Sequence, residues 1–290
     1  MSAFFFFVQL LNAVQYALIL YLVASGLTLL LGIMGVINLA HGVFYMVGAY
    51  IAFAVVQHFA SFWLALPIGI VAGLLLGAVV EKLLLSRLEG SDHLSQVLLS
   101  FGLILIINEA QRVIFGNDAH GVDVPKVLGA SIPLSDTLSY PVYRLFVCAV
   151  GLLFIAAMGL MMAKTRVGMM LRASAENRDM ARAMGIDVRL IYLGVTAVGI
   201  ACTVFAGVIA APIASVYPGM GDTVLIQSFV VIVLGGIGSL SGALAGSLLL
   251  GLVDAFGKQF FPNYAGFLVY AAMIAVLIAR PQGLIRMRGT

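Results

Sequence analysis

Long apolar stretches, separated by short polar connections, dominate the pattern of hydrophobic and polar positions. A helix needs about 20 apolar residues to cross the hydrocarbon core of a bilayer, and it satisfies its own backbone groups there. The pattern predicts an all-α protein, a polytopic transmembrane helical bundle of about 8–9 embedded helices. The stretches run roughly over Val8–Leu31, Val36–Val56, Phe62–Leu85, Leu94–Phe115, Val142–Ala163, Leu190–Ala211, Val224–Leu234, Ala243–Phe256 and Tyr264–Ala279.

The region 224–257 allows two arrangements. Its first apolar run, Val224–Leu234, is short, and several glycines follow it closely. Because glycine interrupts regular helices, this region predicts either two crossings or one crossing with a broken or re-entrant piece.

Glycines also recur every fourth residue in two places. One ridge consists of Gly69, Gly73 and Gly77, and the other of Gly238, Gly242 and Gly246. Helices in lipid associate by close backbone contact, so both ridges predict tight helix packing.

Composition supports a membrane environment for the whole chain. Of the 290 residues, 63% are hydrophobic and 9% are charged, against roughly one quarter charged residues in soluble domains. No Asp, Glu, Lys or Arg precedes Glu81. We expect a single transmembrane domain, residues 1–290, with no nucleic acid as a partner.

The basic residues cluster in a few connections, and cytoplasmic loops of membrane proteins are rich in Lys and Arg. The clusters are Lys82 and Arg87; Lys164, Arg166, Arg172, Arg178, Arg182 and Arg189; and Arg280, Arg286 and Arg288. Alternating crossings place all of them on one side, which predicts a cytoplasmic C-terminus. The N-terminus and the connection Gly116–Tyr140, which carries Asp118, Asp123 and Asp136, then lie outside.

The basic connection Thr165–Leu190 contains a predicted helix of its own. Ser174 can cap a helix from about Ala175 to Met184, and Gly185 can end it with the positive φ that glycine adopts readily. Ten residues rise only about 15 Å, which is too short to span a bilayer. The segment of about residues 164–190 is therefore predicted to dock at the inner membrane surface.

The two faces of this predicted helix differ. Arg178 and Arg182 share one face, four residues apart, where like charges repel, while Asn177, Met180 and Met184 share another. Phospholipid headgroups would attract the basic residues, and a groove in a partner protein would receive the Met-rich face. The residues alone do not decide between phospholipid and a partner protein.

Polar residues within the predicted spans are costly in lipid and are candidates for a translocation pathway. Asn38 and His41 are three residues apart, so a helix would direct both the same way, and Gly35 and Gly42 flank them as if the backbone were interrupted. The alternative is that both hydrogen-bond to neighbouring helices and have a structural role.

Three further pathway candidates are Asn108, Glu109 and Gln227. Glu109 and Arg112 can form a neutralised pair, or the pair can orient an arriving solute in an outer vestibule. Gln227 lies near an expected span end.

Three segments resemble the permease subunits of branched-chain amino acid ABC importers. They are Gly32–Tyr50 (GIMGVINLAHGVFYMVGAY), Gly168–Ile186 (GMMLRASAENRDMARAMGI) and Gly235–Gly251 (GGIGSLSGALAGSLLLG). The resemblance implies a multi-pass protein of the bacterial inner (plasma) membrane that forms half of a pathway for branched-chain or related hydrophobic amino acids. Similar permeases carry urea, short amides or other amino acids, so the cargo stays open.

The same resemblance implies the partners. They would be a second homologous permease subunit, two cytoplasmic ATPase subunits, a periplasmic substrate-binding protein and membrane lipid. The second resembling segment would be the coupling helix that docks onto the ATPase, through Arg172, Ala173, Glu176, Asn177, Ala181, Gly185 and Ile186. ATP and Mg²⁺ would be bound by the partner ATPase, with no cofactor in this chain.

Catalysis by the chain itself is disfavoured. No nucleophile and base recur at a helical spacing, and the histidines lack the spacing of metal ligands. Gly251–Gln259 suggests a phosphate loop only superficially, because Gln259 replaces the Ser or Thr that would hold magnesium. The alternative function is an ion-coupled secondary transporter in which Glu109, Asp254 or His41 carries a proton.

Overall fold

The computed structural model describes residues 3–88, 92–135 and 138–285. The predictions for Asp136, Arg286 and Arg288 lie outside the described residues. In chain order, the α-helices are α1 (Ala3–Leu29), α2 (His41–Phe59), α3 (Phe62–Leu83), α4 (His93–Phe115), α5 (Val142–Lys164), α6 (Arg166–Glu176), α7 (Arg178–Ala183), α8 (Val188–Ala210), α9 (Met220–Gly235), α10 (Leu240–Phe260) and α11 (Ala265–Ala279).

Short elements complete the chain. A π-helical turn, Leu30–Met34, extends α1, and 3-10 turns cover Leu85–Leu88, Lys126–Leu128 and Pro262–Tyr264. Before α5, strand β1 (Ser131–Ser135) pairs antiparallel with β2 (Leu138–Pro141). The hairpin belongs to the connection between α4 and α5, so the fold class remains that of a helical membrane protein.

The predicted polytopic helical bundle is confirmed. Eight helical segments of the described chain are long and apolar enough to cross a membrane, and α9 is shorter, with 16 residues. At 1.5 Å per residue, α9 rises about 24 Å. The region 224–257 is a helical hairpin of α9 and α10, whose turn contains Gly236 and Gly238 with φ of +102° and +81°.

The helix ends form two groups. At one end, His120 and Val216 exchange backbone hydrogen bonds of 2.8 Å, and the Gln9 side chain donates to Gln259 Oε1 at 2.8 Å. We call this the loop end, because it contains the connection between α4 and α5. It also contains the starts of α1 and α5 and the ends of α8 and α10.

We call the opposite end the coupling end. Here α6 and α7 lie next to the end of α1, and the chain after α11 returns to the end of α9, where Leu284 N donates to Leu234 O at 2.8 Å. The two groups of ends agree with the alternating crossings predicted from the sequence.

Helices α1 and α8 form the centre of the bundle. In the most apolar 18-residue stretch of each span, 89% of α1 and 72% of α8 is buried, against 17% in α4 and 11% in α11. The outer helices carry many exposed aliphatic side chains, such as Leu105 and Ile278. These faces suit lipid or another membrane subunit.

The glycine ridge of α3 packs against α8. A Cβ added at Gly73 would lie 2.6 Å from Ala201 Cα, and one at Gly77 would lie 2.5 Å from Ala197 Cα. The two backbones therefore approach too closely for any side chain, which is how helices in lipid gain packing energy.

The second predicted ridge is confirmed only in part. On α10, Gly242 and Gly246 face α9, and a Cβ at Gly246 would lie 2.5 Å from Val231 O. Gly238 does not belong to the ridge, because it lies in the turn before α10 with a positive φ.

We expect Gly73→Ala to destabilise the bundle by about 1–3 kcal/mol, the usual cost of overpacking a tight interface. Gly102→Ala is the matched control, because nothing lies within 4 Å of a Cβ added at Gly102 in α4. The apparent melting temperature of each purified variant in detergent measures the difference. Equal melting temperatures would contradict the close packing of α3 and α8.

Candidate functional site

The segment at the coupling end is built from two helices, not one. The predicted helix Ala175–Met184 with a Ser174 cap is wrong, because α6 continues to Glu176 and α7 begins at Arg178. Asn177 separates them in an extended conformation, with φ −152° and ψ 107°, and its side chain accepts from Met180 N at 2.9 Å. Asn is a strong N-cap, so Asn177 starts α7, while Ser174 is buried inside α6.

The end of α7 follows the prediction for Gly185, whose φ is +84°. Gly185 N donates to Arg182 O and Ile186 N donates to Ala181 O, each at 3.0 Å. This pair of hydrogen bonds is the Schellman arrangement, in which a glycine with positive φ satisfies the last helical carbonyls. Ala181, Gly185 and Ile186 thereby determine where α7 ends and where the chain turns towards α8.

A groove of about 500 Å³ opens beside the break between α6 and α7. Its lining consists of Ala173, Glu176, Asn177, Met180, Ala181, Met184 and Ile186. Met180 and Met184 are 61% and 77% exposed, and flexible Met side chains are typical of surfaces that bind other proteins. Five of the seven predicted coupling residues therefore line one groove.

The other two coupling residues shape the segment. Gly185 ends α7, and the Arg172 guanidinium donates to the Met162 carbonyl, which holds α6 against the end of α5. Gly168 allows this approach, since a Cβ there would overlap the carbonyls of Met161 and Met162.

Arg178 and Arg182 lie four residues apart on α7, but their side chains have different partners. The Arg178 guanidinium donates to the Met34 carbonyl and lies 5.4 Å from the centre of the Tyr192 ring. Arg182 instead pairs with Asp179 at 3.8 Å, where both side chains are exposed. The helix break turns Arg178 towards the bundle, so it links the segment to the end of α1.

The chain between α1 and α2 is not helical. The predicted run Val36–Val56 is helical only from His41, and residues 35–40 form an irregular segment that begins at Gly35 with φ +65°. His41 Nε2 lies 3.1 Å from Val23 O, and Val23 is about 16 Å from Met34 along the axis of α1. Residues 35–40 thus run back into the bundle, and we call them the re-entrant segment.

Asn38 and His41 therefore do not share a helix as the i, i+3 spacing suggested. Asn38 is buried, and its Oδ1 accepts from Ala40 N at 3.0 Å, which stabilises the turn before α2. Its Nδ2 has no hydrogen-bond partner among the described residues. From α4, Gln96 Oε1 accepts from Ile37 N at 3.3 Å.

His41 is fully buried between α1 and α8. Its Nε2 lies 2.6 Å from Thr203 Oγ1 as well as 3.1 Å from Val23 O, and Thr203 itself donates to Gly199 O. Nε2–H therefore donates to both oxygens, and Nδ1 has no partner among the described residues. These contacts favour the structural role for His41.

Asn108 and Glu109 lie elsewhere, in the half of α4 towards the loop end. Glu109 and Arg112 are 3.7 Å apart, and their side chains are 70% and 55% exposed. The pair forms as the spacing predicted, but it points away from the rest of the bundle. The structure does not bring these residues together with Asn38 and His41.

Gln227 lies beside a polar cavity at the loop end. Its Oε1 accepts from the Tyr16 hydroxyl at 2.6 Å, and Tyr16 lines a cavity of about 370 Å³ between α1, α2, α5, α8 and α10. Other polar lining residues are Gln9, Asn12, Gln15, Tyr45, Arg144, Asp254, Lys258 and Gln259. Sequence reasoning missed the members on α1, although polar side chains at positions 9, 12 and 16 recur with helical spacing.

The protein has long apolar helices, a re-entrant segment inside the bundle and buried polar groups. These features are typical of polytopic membrane transport proteins. The chain belongs to the family described as branched-chain amino acid transport system / permease component, whose sequence profile matches residues 9–277.

Individual relatives match along nearly the whole chain. The high-affinity branched-chain amino acid transport system permease protein BraD of Pseudomonas aeruginosa is 30% identical over 96% of this chain and 94% of its own length. The high-affinity branched-chain amino acid transport system permease protein LivH of Escherichia coli K12 is 26% identical over 97% of this chain and 96% of its own length. LivM of the same organism is 28% identical over 93% of this chain and 68% of LivM. No solved structure matches the chain.

We expect His41→Leu to lower the stability of the bundle by about 1 kcal/mol, because it removes the hydrogen bond to Thr203. Transport should then fall only in proportion to the amount of folded protein. His58→Leu is the control, since His58 is exposed near the end of α2. A His41→Leu variant with normal melting temperature and no transport would instead place His41 in the translocation pathway.

Proposed function

We propose that this chain forms half of the translocation pore of an ABC importer for branched-chain or related hydrophobic amino acids, in the inner membrane of a bacterium. The observation that carries the proposal is the groove at the break between α6 and α7, which is lined by Ala173, Glu176, Asn177, Ala181 and Ile186. Family membership supports the same function.

The groove receives a cytoplasmic ATPase subunit, which binds and hydrolyses ATP in place of this chain. Gly251–Gln259 lies within the continuous helix α10 and supplies no phosphate loop. Two ATPase subunits, a periplasmic substrate-binding protein and a second permease complete the importer. The second permease is homologous to this chain. This is supported by E. coli K12, which contains two different relatives of this chain, LivH and LivM.

Two contacts carry movement of the ATPase into the membrane. Arg172 connects α6 to the end of α5, and Arg178 connects α7 to Met34, the residue before the re-entrant segment. Because packed helices move as rigid bodies, displacement of this segment shifts the end of α1 and the start of α2 together. The bundle then alternates access between its two ends.

The coupling end faces the cytoplasm, and the C-terminus lies on that side. Lys164, Arg166, Arg172, Arg178 and Arg182 belong to this end, and positive residues collect on the cytoplasmic side of bacterial membrane proteins. The loop end faces the periplasm and the substrate-binding protein, and the exposed apolar faces of α4 and α11 contact lipid or the second permease.

We expect the double change Glu176→Lys and Asn177→Ala to abolish binding of the ATPase while the protein remains in the membrane. It reverses a charge in the groove and removes the α7 cap, which stabilises a helix by about 1 kcal/mol. Copurification of the ATPase subunits measures the effect. Glu109→Lys, at the other end of the bundle, is the matched control, and normal copurification of the double variant would reject the groove as the docking surface.

The orientation predicts which side of the membrane an impermeant maleimide reaches. In a chain carrying Cys148→Ala and Cys202→Ala, Lys126→Cys should react in intact spheroplasts, and Arg182→Cys should react only after permeabilisation. Both native residues are exposed, Lys126 at the loop end and Arg182 at the coupling end. Labelling of Arg182→Cys from outside would rule out docking to a cytoplasmic ATPase.

A further inference from the structure

The cavity at the loop end, which we call the loop-end cavity, combines charged, amide and apolar groups. Its volume is about 370 Å³, within the range of about 300–1,000 Å³ that small-molecule sites occupy. Polar residues in membrane spans usually serve function, because burying them is costly. The volume and the polar lining are therefore those of a site for a small polar ligand.

The charges around the cavity are not balanced. Lys258 Nζ is 2.7 Å from Asp254 Oδ2, so these two neutralise each other. Arg144 donates to the neutral amide oxygen of Asn12 at 2.5 Å, and it has no ion-pair partner among the described residues. One positive charge is left over, and a planar guanidinium is the group that best receives a carboxylate.

A second, independent observation is the state of Gln15. This side chain lines the cavity and is only 5% exposed. No hydrogen bond to its amide occurs within the described part of the chain. The amide faces the open space of the cavity, so its donor and acceptor groups are free to bind a ligand there.

Part of the cavity wall is apolar. Ile19 from α1, Ala210 from α8 and Ile213 just after α8 line it. An aliphatic side chain of a few carbons fits such a wall, whereas a second charge would not.

We propose that the loop-end cavity is a binding site for a zwitterionic amino acid with an aliphatic side chain. Arg144 binds the ligand carboxylate, the Gln15 amide oxygen accepts a hydrogen bond from its ammonium, and Ile19, Ala210 and Ile213 contact its side chain. The identity of the cargo rests on the proposed function, but the site itself rests on the charge, amide and apolar groups of this one subunit.

The experiment measures equilibrium binding of radiolabelled leucine to the full-length purified protein in lipid nanodiscs. We expect saturable binding that unlabelled leucine, isoleucine and valine displace. Leucinol, which lacks the carboxylate, and 4-methylpentanoate, which lacks the ammonium, should compete at least about tenfold more weakly, because each loses a hydrogen bond to a charged group.

Two variants and two controls locate the site. Arg144→Gln and Gln15→Leu should weaken leucine binding by about tenfold or more. Arg112→Gln and Gln57→Leu remove the same side-chain types from exposed positions on α4 and α2 and should bind normally. Arg144 is only partly buried, so Arg144→Gln tests the proposal even if Gln15→Leu fails to fold.

Absence of saturable leucine binding, or unchanged binding by both cavity variants, would overturn the proposal. Copurification of the ATPase separates this failure from failure of the proposed function. If the wild-type protein recruits the ATPase but does not bind leucine, the proposed importer function stands, and the proposal that the loop-end cavity binds the substrate is wrong.

Discussion

A backbone inside a membrane must find partners for all its polar groups, and the re-entrant segment is where this constraint acts most strongly on the protein. Residues 35–40 lack helical hydrogen bonds, so other groups must replace them. The Ile37 and Ala40 amides donate to side-chain oxygens of Gln96 and Asn38, and Arg178 donates to the Met34 carbonyl. The segment can exist only because α1, α4, α7 and α8 surround it.

This constraint also connects the coupling end to the centre of the molecule. The groove at the coupling end and the re-entrant segment are joined through Arg178, which belongs to α7 and binds the last residue of the π-helical turn. From there, His41 connects the start of α2 to Val23 and Thr203 in the two central helices. A short series of hydrogen bonds, linked through the chain between Met34 and His41, therefore runs from the groove to the centre of the bundle.

Close glycine contacts hold the helices around α8 together. On both sides of α8 the neighbouring backbones are too close for a side chain, at Gly73 and Gly77 of α3 and at Gly48 of α2. These helices have little room to slide independently, so α2, α3 and α8 act as a unit. The loop-end cavity lies at the edge of that unit, where α1, α5 and α10 meet it.

The sequence alone determined the membrane class, a bundle of about eight or nine embedded helices, the grouping of their ends and the position of a structured basic segment, because apolar run length and loop charge depend only on neighbouring residues. It also determined the αL glycine at Gly185, since that requirement is local. The break at Asn177, the inward turn of Arg178, the buried contacts of His41 and the loop-end cavity were decided by tertiary structure. Each of these depends on which residue of a distant helix lies opposite, and in a chain of uniformly apolar helices the spacing along one helix does not identify its neighbour.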